Sequence, residues 1–372
     1  MNIQSIPPRL WTHRYITVVV ILCIVLVGTF IIRDTGSGTI SLPQPPLKML
    51  AQQHAISVGN FAIRNYLHNK DYRYILTHDY NLALADNTPN WYFTDGGMRP
   101  SKDTYFFDHM DEVVDFARQN GMQIQAHHLL WGEEKWLPDW LKSGNFNADQ
   151  LDVIIREHIQ TVAGRYAGEV QQWTVVNEAF SRGQHIYGLH DWWADHTNGK
   201  SYIDKAFIWA RAADPNATLI VNDFGNESLN PISDDMYAYI KAAKERSIPI
   251  DGIGMQMHID GTHPPTKEEV VTNMQRFGAL GIDVYITEFD VNMNDVKADS
   301  ADKDQIQASI YYEMARACIE SKVCKSFSIL GITDSETWYS YMGLTDSRPL
   351  PFDKEYHPKP AYYSLRDAFT QP

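Results

Sequence analysis

Along residues 47–372, short apolar runs of strand length alternate with longer stretches whose apolar positions recur every three or four residues. The strand-like runs are Ile56–Phe61, Tyr74–Tyr80, Met122–Leu130, Gln172–Asn177, Thr218–Asp223, Gly252–His258, Val284–Glu288 and Ser326–Leu330. Between them the helical period covers Met110–Asn120, Asp149–Tyr166, Ile203–Ala213, Asp234–Arg246, Lys267–Leu280 and Asp304–Glu320. Strands alternating with amphipathic helices predict an α/β fold with a parallel sheet. Eight such strands suggest a closed (β/α)8 TIM barrel in one domain over residues 47–372, although a doubly wound sheet could use the same elements. No G-x-G-x-x-G follows the first strand and no G-x-x-x-x-G-K-[ST] occurs, so dinucleotide and P-loop chemistry lose support.

The N-terminus breaks this pattern. Residues 1–14 carry Arg9 and Arg14, and residues 15–32 are largely apolar without a charge. That run exceeds the ~7–15 residues of a signal-peptide core and approaches the ~17 needed to span a bilayer. The upstream arginines favour a cytoplasmic N-terminus with the rest translocated. The expectation is a transmembrane signal anchor and an extracellular or cell-surface domain, with a cleaved signal peptide and secretion as the alternative. Residues 33–46, rich in Gly, Ser and Pro, read as a linker.

Charge narrows the partners. The chain carries −14 overall, and the first 36 residues hold three arginines and one aspartate, which leaves −16 for the rest. So acidic a body has no general footprint for nucleic acid. Ten Trp, 20 Tyr and 15 Phe are more than a core needs, and some of that flat surface is expected to meet a ligand. Cys318 and Cys324 do not have zinc spacing; spacing alone leaves a local disulfide and two free thiols equally open.

In a barrel, catalytic groups collect where strands end. The fourth run ends in Asn177-Glu178, and the seventh ends in Glu288 with Asp290 two residues on. The sixth ends in Gln256 and His258, and the third carries His127-His128 followed by Trp131. Two carboxyls at one mouth with aromatics nearby are what glycoside hydrolysis requires: a protonated acid for the leaving oxygen, and a carboxylate to attack or to activate water. A metal site is disfavoured because adjacent strand residues such as His127 and His128 face opposite sides. A calcium loop at Asp290-x-Asn292-x-Asn294 is disfavoured because its sixth position is Asp295 and its twelfth Ala301.

Trp173–Phe180 (WTVVNEAF) and Tyr285–Val291 (YITEFDV) resemble the acid/base and nucleophile signatures of glycoside hydrolase family 10, mainly endo-β-1,4-xylanases. The resemblance extends through His127-x-x-x-Trp131, Asn222-Asp223-Phe224, Gly252-Ile253-Gly254-x-Gln256-x-His258, Gly331-x-x-Asp334-x-x-x-Trp338 and Pro351-Phe352-Asp353. It implies a TIM barrel that cleaves internal β-1,4 bonds of xylan with retention and without a cofactor or metal. Glu178 would be the acid/base and Glu288 the nucleophile, contacted by His258, which Asp290 would orient. Asn177 would bind the sugar 2-hydroxyl; His127, Trp131, Gln256, Asn222 and Trp338 would line or cover the site. The resemblance also implies a Cys318–Cys324 disulfide. Another retaining β-1,4-glycanase, or a non-catalytic carbohydrate binder on the same scaffold, is the alternative.

Three departures from the family pattern stand out. No Lys occurs between Lys70 and Lys102, where the family places one after its second strand; the segment Thr77–Leu84 reads THDYNLAL. Leu330 stands where a Trp normally ends the eighth strand, and Gly132 rather than His follows Trp131. A relaxed preference between xylose and glucose is therefore expected.

Overall fold

The alternating runs become nine strands with intervening helices in a computed structural model of the chain, which describes residues 40–86, 97–182 and 190–372. The strands are β1 (Ser57–Phe61), β2 (Leu82–Asp86), β3 (Gln123–Trp131), β4 (Gln172–Asn177), β5 (Thr218–Asp223), β6 (Gly252–Met255), β7 (His258–Asp260), β8 (Asp283–Asn292) and β9 (Cys324–Ile329). β1 to β6 pair in parallel in chain order, β6 pairs with β8, β8 with β9, and β9 returns to β1. Eight parallel strands thus close on themselves as a (β/α)8 barrel. β7 is a short extension that pairs with the far end of β8.

The helices begin where their sequences satisfy the free N–H groups of the first turn. Asn147 and Gln150 form a reciprocal capping box at helix Ala148–Arg165, and Thr266 and Glu269 do so at Lys267–Gly278. In each case the apolar face lies on the barrel, with Ile154, Ile155, Ile159 and Val162 buried in the first and Val270, Met274 and Phe277 in the second.

One expected strand is a helix. Of Tyr74–Tyr80, all but Tyr80 fall within helix Lys70–Asp79, capped by the Asn69 side chain, which accepts from the N–H groups of Asp71 and Tyr72. Its aromatic and β-branched residues suit a strand, but the buried positions Tyr72, Ile75, Leu76 and Asp79 follow the helical period. The second strand is the Ala/Leu run Leu82–Asp86, whose composition is helix-like but which is too short for a helix. The expected strand Gly252–His258 is divided into β6 and β7 by Met257, whose φ of 58° breaks the extended path.

Asp79 ends that helix fully buried and ties the two ends of the domain together. One carboxylate oxygen accepts from the Leu47 N–H at 2.9 Å and the other from the Tyr362 hydroxyl at 2.7 Å. Cys318 and Cys324 form a disulfide, which joins the end of helix Ser300–Ser321 to the start of β9.

Residues 15–32, read as anchor or signal, lie outside the described residues. Among the described residues no helix is long and apolar enough to cross a membrane. At the domain end of the segment read as linker, Leu42 is buried and the Pro45 carbonyl accepts from Arg366 Nη2 at 2.7 Å.

Candidate active site

Strand register decides which side chains meet at the barrel mouth. Trp131 of β3 lies beside Asn177 of β4, Asn177 beside Asn222 of β5, and Asn222 beside Gly254 of β6. His258 of β7 lies beside Asp290 of β8. Gly254 must lack a side chain, because a Cβ there would sit 2.0 Å from Asn222 Oδ1. That space is needed: Asn222 donates from Nδ2 to Glu288 Oε1 at 2.8 Å and to Asn177 Oδ1 at 2.9 Å, while its own Oδ1 accepts from Thr287 Oγ1.

Glu288 is 8% exposed. Burial pushes its carboxyl up, but His127, the His258 imidazole and the Asn222 amide outweigh burial and hold it below the ordinary carboxylate range. His127 Nε2 and His258 Nε2 each lie 3.6 Å from a Glu288 oxygen. Burial also works against charge on His258, yet Asp290, 3.1 Å from Nδ1, and Glu288 prevail and raise the imidazole to about 10. His258 is therefore a cation at neutral pH. Asp290, fully buried, also accepts from Trp338 Nε1 at 2.8 Å and the Tyr339 hydroxyl at 3.0 Å. By linkage, a raised imidazole stabilises the fold fully below its ordinary value near 6.5, and that contribution is lost as pH rises through about 10.

Glu178 follows β4 in the left-handed region at φ 59°, with its N–H donating to the Asn222 carbonyl at 2.8 Å. A non-glycine residue held there at the end of a strand is a common mark of a functional position. Its Oε1 accepts from Gln256 Nε2 at 3.1 Å, and its Oε2 from Trp131 Nε1 at 2.7 Å and Arg182 Nε at 2.7 Å. Gln256 also reaches Asn177 Oδ1 at 3.3 Å, so hydrogen bonds run unbroken from Glu288 through Asn222, Asn177 and Gln256 to Glu178.

The structure corrects the reading of His127 and His128 as facing opposite sides. Their peptide is cis, the β3–β4 register shifts just beyond His127, and the two rings lie 4.6 Å apart. Burial pushes both imidazoles down, His128 strongly, and His128 packs edge-on against Trp131 at 5.2 Å. Among the described residues neither belongs to a cluster with metal-ligand spacing; such a cluster forms at Asp353, Glu355 and His357, which contains none of the mouth residues.

Comparison with known proteins agrees with this geometry. The glycosyl hydrolase family 10 model matches residues 46–368. The chain belongs to glycosyl hydrolase family 10. It is 33% identical to endo-1,4-β-xylanase B of Thermotoga neapolitana over 88% of this chain and 92% of the relative. A β-1,4-xylanase of Dictyoglomus thermophilum is 30% identical over 95% of this chain and 98% of its own length. Among solved structures, xylanase 10B from Thermotoga petrophila in complex with xylobiose superposes with a TM-score of 0.79 at 32% identity, covering 89% of this chain and 98% of that one.

Membership in family 10 makes the departures interpretable. A His cannot replace Gly132, because a Cβ there would meet Asp191 Oδ1 at 2.2 Å. Asp191 is itself buried, which pushes its carboxyl up to about 6 against hydrogen bonds from Tyr202 and two backbone N–H groups. Leu330 packs against the Phe61, Leu82 and Leu84 cluster, and Phe61 meets the His127 ring edge-on at 6.4 Å. The segment Thr77–Leu84 is not the site of the missing Lys, since it spans the end of a helix and the start of β2. The residues that follow β2, 87–96, include no Lys and lie outside the described residues.

Sequence reasoning missed Arg182, Glu133 and Tyr339. Arg182 stands four residues after Glu178, a spacing that could have flagged it; Tyr339 simply follows Trp338. Replacing Asp290 by Asn removes the charge that keeps His258 cationic, so the Glu288 carboxyl moves up. The acidic limb of the kcat/KM profile is expected to shift to higher pH; an unmoved limb would leave Asp290 with a purely structural role.

Proposed function

We propose that this family 10 hydrolase is a retaining endo-β-1,4-xylanase in which Glu288 is the nucleophile and Glu178 the acid/base. The observation that carries the assignment is the different lining of the two carboxyls: Glu288 accepts from Asn222 and faces the His127 and His258 imidazoles, whereas Glu178 leaves the end of β4 beside Gln256, Trp131 and Arg182. Glu288 bonds to the anomeric carbon while Glu178 passes a proton to the departing glycosidic oxygen. Water then attacks that carbon, Glu178 takes the water's proton, and Glu288 leaves. Asn177, His127, Trp131, Gln256, Asn222 and Trp338 are assigned to the substrate, with xylan supported by the relatives named as xylanases and the neighbour bound to xylobiose.

Glu178→Ala is expected to lose far less on aryl glycosides with an excellent leaving group than on xylan, and added azide should give a β-glycosyl azide. Glu288→Ala should be inactive on both substrates. Equal losses for Glu178→Ala, with no azide product, would reverse the assignment.

Leu330 carries a finer proposal. In the family pattern a Trp there covers the reacting sugar near C5, where xylose has hydrogen and glucose a hydroxymethyl group. Leu has no flat face and leaves room, so we assign the chain a relaxed preference between the two sugars. One accommodated carbon group is worth roughly 10- to 200-fold in kcat/KM. Leu330→Trp should swing the ratio of aryl β-cellobioside to aryl β-xylobioside hydrolysis toward xylose; a ratio constant within about threefold would sink the idea.

The apolar run at residues 15–32 supports a membrane anchor that holds the domain at the cell surface. Fractionated cells should carry the full-length chain with membranes; release with a new N-terminus between Gly28 and Pro46 would mark a cleaved signal instead.

A further inference from the structure

The two oxygens of Glu178 have unequal surroundings. Oε2 receives Trp131 Nε1 at 2.7 Å and two nitrogens of Arg182, Nε at 2.7 Å and Nη2 at 2.6 Å. Oε1 receives Gln256 Nε2 at 3.1 Å. The remaining Arg182 nitrogen, Nη1, holds Glu133 Oε2 at 2.6 Å, and the guanidinium lies 5.5 Å from the centre of the Trp131 ring. The Arg182 side chain is only 7% exposed. It is thus a fixed fork between two carboxylates, one on the loop after β3 and the other at the end of β4.

A carboxylate offers about two lone-pair sites per oxygen. The N–H groups of Trp131 Nε1 and Arg182 Nε fill both sites on Oε2, with Nη2 close by in the same ion pair, while Oε1 has one site open beside Gln256. Guanidinium does not give up its protons near neutral pH, so Arg182 can only accept this geometry, not trade protons with it. Trp131 and Gln256 are neutral single donors; the planar, charged fork is what sets the rotation of the carboxyl.

We propose that Arg182, anchored by Glu133, is a positioning residue that fixes Glu178 so that Oε1 alone delivers and recovers the catalytic proton. The proposal rests on Glu178 being the acid/base. In the first half-reaction the Oε1–H bond breaks as the proton moves to the glycosidic oxygen, the C1–O bond to the leaving sugar breaks, and the bond from Glu288 to C1 forms. In the second half, Oε1 takes a proton from water as the water oxygen bonds to C1 and Glu288 departs. Arg182 is unchanged in both.

The test compares kcat/KM of the wild type, Arg182→Met and Glu133→Ala on xylotetraose and on dinitrophenyl β-xylobioside, whose phenolate leaves without protonation. Both substrates report the first half-reaction through kcat/KM. Arg182→Met should lose about 10- to 100-fold on xylotetraose, mostly in kcat with KM within about threefold, as expected for a displaced general acid. On the dinitrophenyl substrate it should stay within about threefold of wild type. Glu133→Ala, a substitution at a partly exposed site, should show the same split at smaller amplitude and decides the matter if Arg182→Met does not fold. Equal losses on the two substrates, or no loss on xylotetraose, would overturn the proposal. Absence of azide rescue in Glu178→Ala would instead overturn the acid/base assignment; rescue without the split in the Arg182 and Glu133 variants would overturn only the role of Arg182.

Discussion

Two carboxylates, each 8% exposed, sit at the mouth of one barrel, and the structure around them compensates for that burial. A buried charge without partners costs several kcal/mol, so each oxygen must find donors or a countercharge. Glu288 finds a cation in His258, which is kept a cation by Asp290 behind it together with Glu288 itself. Asp290 is then a third buried carboxylate, and its oxygens are satisfied by His258, Trp338 and Tyr339. The demand thus propagates outward by one residue at a time until it fixes the segment Trp338–Met342 over the site. The position of these aromatics is thus a consequence of electrostatics.

The barrel makes such compensation possible because parallel register places strand ends side by side. Asn177, Asn222 and Gly254 are neighbours across three strands, so one amide can hold both its neighbour and Glu288 from within the strands. Donors held on strands need little reorganisation as charge develops, which is the main source of catalytic electrostatic stabilisation. The same economy of space sets the glycine positions. Gly254 gives room to Asn222, and Gly132 gives room to the buried carboxylate of Asp191. The second of these explains a departure from family 10 that has no explanation in sequence terms.

Far from the mouth, the frame is closed by side chains distant in sequence. Asp79 joins helix Leu47–Gln52, the helix before β2 and helix Pro360–Thr370 through Leu47 and Tyr362. The disulfide between Cys318 and Cys324 closes the corner before β9, the strand that seals the barrel against β1.

Much of this was legible in the chain. Alternating periods gave the barrel, because strand and helix spacing are local properties of neighbouring residues. The motifs closing the fourth, sixth and seventh apolar runs brought Glu178, Glu288, His258 and Asp290 forward as candidates, although β8 continues to Asn292, beyond the point where its apolar run was read to stop. The helix Lys70–Asp79 was misread because its aromatic composition favours a strand while its burial follows the barrel. The link from Arg182 to Glu133 was invisible, since 49 positions separate them and no local pattern predicts that one guanidinium would hold both Glu133 and Glu178. His127 and His128 defeated the alternation rule because the backbone between them departs from a regular strand. The sequence by itself determined the fold class and the family, and it carried the pair of carboxyls proposed here as catalytic, all in contiguous residues. Only the tertiary structure decided which donors hold each oxygen and why Gly132 must be glycine, because those depend on distances between residues that meet only when the barrel closes.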